Sequence, residues 1–268
     1  MYAQQACLPG NLNLLAPVVV DDLVRIGNLN DGGYVLPKFL LMHTDFLLAM
    51  GVNDDWSFEA DFLKANAALE IHAYDHTISK RIFSIGILVA SARFMLGKSN
   101  IREIVRRIKL LGAYKSFFKG SVKHFQERVH NRLDTGNDAN FQKIFDRIKS
   151  DKVFIKMDIE GGEYRLIDDV LSRSSRITGL VVEFHDTDPL RMVFLEAIKK
   201  LQTVYSIVHI HGNNYGPACG DGLPEFLEIT FIRKDFLASD NKRSELPISG
   251  LDYPNDPTHE DFTMRFAL

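Results

Sequence analysis

Lys152-Val-Phe-Ile-Lys-Met-Asp158-Ile-Glu160-Gly-Gly-Glu163 is the stretch on which the fold turns. Its first half is an apolar run of strand length, and its second half places three carboxylates around two glycines. A helix-like segment, Gly162 to Leu171, follows directly. A buried strand that empties into acids and then a helix is the β-turn-α unit of an open α/β sheet. Packing does not need so many acids at a strand end. Glu163 reads as an acid in the first turn of a helix, stabilised by the dipole. Asp158 and Glu160 have no such role and read as functional.

The same alternation extends in both directions. Upstream, Asp45-Phe-Leu-Leu-Ala-Met-Gly51 reads as a buried strand ending at glycine. Ser57 to Leu69 has helical spacing, with Phe58, Phe62 and Ala65 on one face, and Ser57 suits an N-cap. Glu70-Ile-His-Ala-Tyr-Asp75 is a second strand. A long helical region spans Ile82 to Leu111, a weaker strand Phe117 to Val122, and a helix Asn140 to Lys149. Downstream, Ile177 to Phe184 is a strand and Pro189 to Leu201 a helix. Tyr205 to His211 and Phe226 to Arg233 are strands whose connection has no room for a helix, so they are antiparallel neighbours. The predicted architecture is a doubly wound, mostly parallel Rossmann-like sheet with one antiparallel C-terminal hairpin, binding ligands beyond the carboxyl ends of its strands. Residues 45–234 form this domain, with a helical basic insertion at about 81–132. Residues 1–44 are an N-terminal extension packing on it, and 235–268 a C-terminal flap rich in Pro, Asp and Asn.

Composition narrows the function. A chain of 268 residues, 46% hydrophobic, buries a core without disulfides or structural metal. The net charge of −3 gives no nucleic-acid signature. Cys7 and Cys219 have no CxxC partner, and reduced thiols in a cytoplasmic protein are expected. Met1 to Gly10 lacks the pattern of a signal peptide. The most apolar run, Ile82 to Leu96, is interrupted by Arg93 and too short to span a bilayer, so at most peripheral membrane association is expected. Residues 97–132 hold ten Lys/Arg against Glu103 and Glu127. They read as a solvated helix face, or as a patch for an acidic acceptor or anionic membrane. On the acceptor reading, Arg102, Arg106 and Arg107 form a wall over the cleft.

The candidate site gathers at one sheet edge. Met50-Gly51-Val52-Asn53-Asp54 closes the first strand, where glycine permits close backbone approach. It lacks the glycines of GxGxxG, which speaks against a nicotinamide oxidoreductase. Asp75, at the end of the second strand, stands where an acid accepts ribose hydroxyls. Val182-Glu183-Phe-His185 puts Glu183 and His185 on one strand face, and His209-Ile-His211-Gly-Asn213-Asn214 ends the next strand. Six polar residues thus converge, namely Asp158, Glu160, Glu183, His185, His211 and Asn213.

Lys156-Met-Asp-Ile-Glu-Gly-Gly-Glu163 resembles the KxDxEGxE signature of FkbM-type methyltransferases. Arg25-Ile-Gly with Asp31-Gly-Gly-Tyr34 resembles an N-terminal element of some members, and Met50 to Asp54 with Ser57-Phe-Glu59 resembles their first cofactor motif. Val182 to His185, His209 to Asn214 and Leu227 to Phe231 fit the same pattern. The resemblance covers about residues 25–257 and departs from the family at 81–118, which is longer and more basic. It implies a class I methyltransferase using S-adenosylmethionine, usually on oxygen, in a family associated with glycans and secondary metabolites. It implies Gly51 and Asp54 near the methionine part of the cofactor, Asp75 at the ribose, and Asp158 and Glu160 near the reacting centre. Asn53, Glu59 and Asp158 join the cofactor set, and Glu183, Asn213 and Asn214 the acceptor set.

The expected reaction is methylation of a hydroxyl on a sugar, glycan or glycosylated metabolite, including a phosphate- or lipid-linked one. Such a hydroxyl needs a base or a cation. His185 is the favoured base and His211 the other candidate. Asp158, His185 and His211 are the candidate ligands for magnesium or manganese. The alternative is a non-catalytic nucleoside-binding or regulatory module with the same fold.

Overall fold

Strand-length apolar runs become the centre of the sheet because both of its faces are covered. In a computed structural model, which describes residues 5–132 and 136–268, seven strands form it. They are β1 (Phe46–Met50), β2 (Glu70–Tyr74), β3 (Val122–Phe125), β4 (Val153–Met157), β5 (Ile177–Phe184), β6 (Tyr205–Gly212) and β7 (Leu227–Arg233). The helices that matter here are α1 (Ser57–Ala65), α2 (Lys80–Met95), α3 (Ile101–Phe117), α4 (Ile167–Ser172) and α5 (Arg191–Leu201). Met1 to Gln4, part of the stretch read for a signal peptide, lie outside the described residues.

The strand order is β3-β2-β1-β4-β5-β7-β6. Neighbours from β3 to β5 run parallel, and β7 is antiparallel to both β5 and β6. This is the doubly wound, mostly parallel Rossmann-like sheet. Alternation assigns each strand to two cores. Phe46, Leu48 and Met50 of β1 and Val153, Ile155 and Met157 of β4 join one apolar cluster, while Leu47 and Phe154 join the other. Burial of such a side chain contributes about 1.5–3 kcal/mol, and truncating the fully buried Phe154 to Ala costs roughly 3–5 kcal/mol.

Three elements differ from expectation. The helix read as Ile82 to Leu111 is two, because Gly97 takes a φ of +68° and Asn100 caps a new helix by accepting the Glu103 N–H at 3.1 Å. The strand expected at Phe117 to Val122 lies at Val122–Phe125. Phe117 still belongs to α3, and it and Phe118 lie with ring centroids 6.2 and 5.4 Å from Trp56. The helix expected at Asn140 to Lys149 is confined to Phe141–Phe145. As expected, β6 and β7 are antiparallel neighbours, with β7 lying between β5 and β6.

The chain ends are tied together. Gln5–Leu8 pairs in parallel with Thr263–Phe266, which pairs with Glu245–Leu246. Leu23–Ile26 and Tyr34–Pro37 form a hairpin against the sheet, where Thr230 Oγ1 donates to Val35 O at 2.7 Å. No helix among the described residues is long and apolar enough to cross a membrane.

Candidate functional site

β1 and β4 are the neighbours at which strand order reverses, and the crevice beyond their carboxyl ends is where such sheets take ligands. Met50 and Met157 are paired, and the chains cross just beyond them. Gly51 has a φ of +77°, and a Cβ there would sit 1.6 Å from the Asp158 carbonyl oxygen. The glycine is therefore required by the Asp158 backbone, rather than by a ligand alone. Lys156 Nζ donates to Gly51 O at 2.8 Å and fixes the crossing.

A cleft of about 740 Å³ opens there. Gly51, Asn53, Asp54 and Asp75 line one side, and Asp158, Glu160, Glu183, His185 and Asn213 the other. Asp75 is tied into the protein. Its Oδ2 accepts the backbone N–H groups of Val52 at 3.0 Å and Asn53 at 2.7 Å, and its Oδ1 accepts Thr77 N and Oγ1 at 2.7 and 2.6 Å. These four donors match the acceptor capacity of a carboxylate. Burial raises its pKa, but these hydrogen bonds outweigh burial and hold it below the usual value. Asp75 thus fixes the turn in which Asn53 takes a φ of +50°.

At the other side, His185 is nearly buried and surrounded by acids. Its Nδ1 is 3.2 Å from Glu163 Oε1, and its Nε2 is 3.7 Å from Glu160, 3.9 Å from Glu183 and 4.0 Å from Asp158. Glu163 is fully buried, and its Oε1 also accepts the N–H groups of Ile159 at 3.0 Å and Gly161 at 3.2 Å. It lies in the first turn of the short helix Glu163–Leu166, as expected, and in addition shapes the acidic turn before it. Tyr164 Oη donates to His185 O at 2.6 Å. Burial lowers the His185 pKa, but Glu163, Glu183 and Asp158 outweigh it and push it up to about 9. Burial pushes Asp158 up to about 6 and Glu183 well above the carboxylate range. A pKa pushed up in this way favours the imidazolium form of His185 at neutral pH. It is a base only after losing that proton.

Three expected site residues lie elsewhere. Glu59 is fully buried behind the cleft, 3.7 Å from Lys156 Nζ, and burial raises its pKa. It supports Lys156 rather than touching the cleft. Burial lowers the Lys156 pKa, but Glu59, Asp158 and other acids raise it further, so the ammonium persists. His211 is buried between Glu228 at 3.2 Å and Asp261 at 3.1 Å. The inserted β7 separates its strand from β5 by two strand spacings, about 10 Å. Asn214 ties the C-terminal segment, donating to Asp256 O at 3.0 Å and accepting Asp256 N at 2.7 Å. Arg102, Arg106 and Arg107 also lie outside the cleft lining, which takes only residues 127–130 from the basic stretch. The expected metal set changes accordingly. Asp158, Glu160 and His185 bring one ligand atom each within 4.8 Å of one another, with Glu160 in the place expected of His211.

Sequence reasoning gave no role to Asp31, Tyr34 and Lys156, which line the cleft. Their signal was present in the Asp31-Gly-Gly-Tyr34 and Lys156-Met-Asp158 motifs. Burial and the nearby acids Asp158 and Glu183 raise the Tyr34 pKa well above the usual value, so its hydroxyl keeps its proton.

Residues 109–214 match the model of the methyltransferase FkbM domain. No curated protein matches the chain. Among solved structures, the chain is similar to the Methanococcus jannaschii fibrillarin pre-rRNA processing protein, at 9% identity and a TM-score of 0.38, covering 72% of this chain and 67% of that one. It is similar to the precorrin-6y C5,15-methyltransferase of Geobacter metallireducens GS-15, at 12% identity and 0.36, covering 73% and 87%. It is also similar to an O-methyltransferase from Bacillus cereus in complex with SAH, at 8% and 0.36, covering 73% and 80%.

Proposed function

We propose that this chain, an S-adenosylmethionine-dependent methyltransferase by its FkbM domain, methylates a hydroxyl of a sugar, glycan or glycosylated metabolite. The observation that carries the reading is His185 Nε2 facing Asp158, Glu160 and Glu183 within 4.0 Å in a cleft at the switch point. Carboxylates and the Asn213 amide suit an acceptor rich in hydroxyls, including a phosphate- or lipid-linked one, and a cytoplasmic site of action belongs to the same reading.

The cleft fits the cofactor, because the Gly51–Asn53 turn is held rigid by Asp75 and the opposite wall is acidic. Bound S-adenosylmethionine supplies a methyl group on a sulfonium and leaves as a neutral thioether. Gly51, Asn53 and Asp54 would hold its methionine part, with their turn kept in place by Asp75. Asp158, Glu183 and Asn213 would orient the acceptor hydroxyl towards the methyl group. His185 Nε2 receives the hydroxyl proton. A sulfonium held beside His185 would oppose its protonation. That would lower the His185 pKa from about 9, so that the imidazole could accept the proton.

The test is transfer of labelled methyl from S-adenosylmethionine to a panel of glycans. His185→Ala should lower kcat roughly 10²–10⁴-fold while S-adenosylhomocysteine affinity persists. Full activity in that variant overturns the assignment of the base.

A further inference from the structure

The hairpin of α2 and α3 leaves the body between β2 and β3 and packs on it at its root, where Phe83 and Tyr114 meet Ile78. Beyond the root many of its large apolar side chains are exposed. Ten of the eighteen large hydrophobics exposed among the described residues lie between Ile82 and Ile108. Leu88, Met95 and Leu96 are 69, 79 and 69% exposed. On α2, Ile82, Ile85 and Val89 follow helical spacing, Leu96 caps its C-terminus, and on α3 Ile101, Val105 and Ile108 form one row. Beside that row runs a second exposed row, Arg102, Arg106 and Lys109.

Charge is as unequal as polarity. Residues 80–119 hold ten Lys/Arg and one acid, Glu103. The rest of the chain holds twenty-two Lys/Arg and thirty-four acids. Glu103 engages Arg106 and Arg107. The helices have 16 and 17 residues, about 25 Å each, and neither is apolar enough to span a bilayer.

We propose that this hairpin docks the protein on an anionic lipid surface, its apolar rows entering the headgroup boundary and its basic row pairing with lipid phosphates. Apolar side chains beside Lys and Arg on helices that cannot span are the chemistry of an interfacial element. A patch this apolar is rare on a protein with no docking partner. A second copy fits worse, because a symmetric contact through this face sets ten basic residues against ten. The inference stands independently of the reaction assigned to the cleft.

Sedimentation of the full chain with phosphatidylcholine vesicles, with and without phosphatidylglycerol, tests it. Binding should require phosphatidylglycerol and weaken as salt rises. Leu88→Asp with Met95→Asp and Leu96→Asp should reduce binding by about tenfold or more. Arg102→Gln with Arg106→Gln and Lys109→Gln should reduce it on the order of a hundredfold. Met42→Asp, at an exposed apolar position outside the hairpin, should bind as the parent does, and all variants should keep the parental melting temperature. The proposal is overturned by absence of vesicle binding, by unaffected binding in the arginine variant, or by a dimer that the Leu88 variant dissociates without any vesicle binding.

Discussion

Glu163 Oε1 lies 3.2 Å from His185 Nδ1 while accepting the backbone N–H of Ile159 at 3.0 Å. One buried oxygen thus couples the shape of the acidic turn after β4 to the orientation and charge of the histidine after β5. Nδ1 is directed towards Glu163, which leaves Nε2 to face the cleft.

Glu163→Gln removes the strongest influence raising the His185 pKa, with the fold of the turn largely retained. The base then loses its proton at lower pH. The acid limb of the kcat–pH profile should move down, with little change in KM for S-adenosylmethionine. A profile superimposable on the parent contradicts the coupling.

Asp75→Ala frees the N–H groups of Val52 and Asn53 from a charged acceptor. Each such bond is worth roughly 1.5–3 kcal/mol, partly recovered from water. S-adenosylmethionine affinity should fall by tenfold or more, on the order of 1.4 kcal/mol per tenfold, because the turn is no longer held. Unchanged affinity by calorimetry removes Asp75 from the account.

His211 belongs to stability, not chemistry. Burial lowers its pKa, but Asp261 and Glu228 outweigh that and raise it to about 10 from an ordinary 6.5. The sign is that of a raised folded-state pKa. The contribution is full below about pH 6.5 and is lost as pH rises through about 10. His211→Leu removes the imidazolium from between Glu228 and Asp261 and should cost about 3–5 kcal/mol at pH 7. Urea unfolding should show that gap narrowing above pH 9. A gap independent of pH contradicts the ionic role.

Chelation separates the base from a metal. Asp158, Glu160 and His185 form the candidate ligand set, but a cation there competes with the proton that His185 holds up to about pH 9. Turnover should survive exhaustive EDTA treatment. Loss of turnover restored by manganese or magnesium transfers hydroxyl activation from His185 to the metal.

Much of this was legible in the sequence, for definite reasons. Phe46–Met50 and Val153–Met157 are buried on both faces, so their apolar runs are continuous and bounded by glycine or acid. Gly51, Asp75, Asp158 and His185 end strands, and strand ends in a doubly wound sheet share one edge. His211 also ends a strand, but its distance from the cleft depends on β7 entering between β5 and β6, which is a long-range pairing. Glu59 follows the cofactor motif by five residues, yet helix α1 turns it inward to Lys156. Glu163 was undervalued because its partner, His185, is 22 residues away in sequence. The break at Gly97 was hidden by apolar spacing that continues on both sides of it.

Calorimetric titration of the chain with S-adenosylmethionine, S-adenosylhomocysteine and NAD, in buffers of different ionisation enthalpy near pH 8, tests the cleft most directly. Both adenosyl ligands should bind and NAD should not. S-adenosylmethionine should expel more of a proton than S-adenosylhomocysteine, because only the sulfonium carries a charge that opposes protonation of His185. Absence of S-adenosylmethionine binding, or equal proton release by the neutral thioether, contradicts the account.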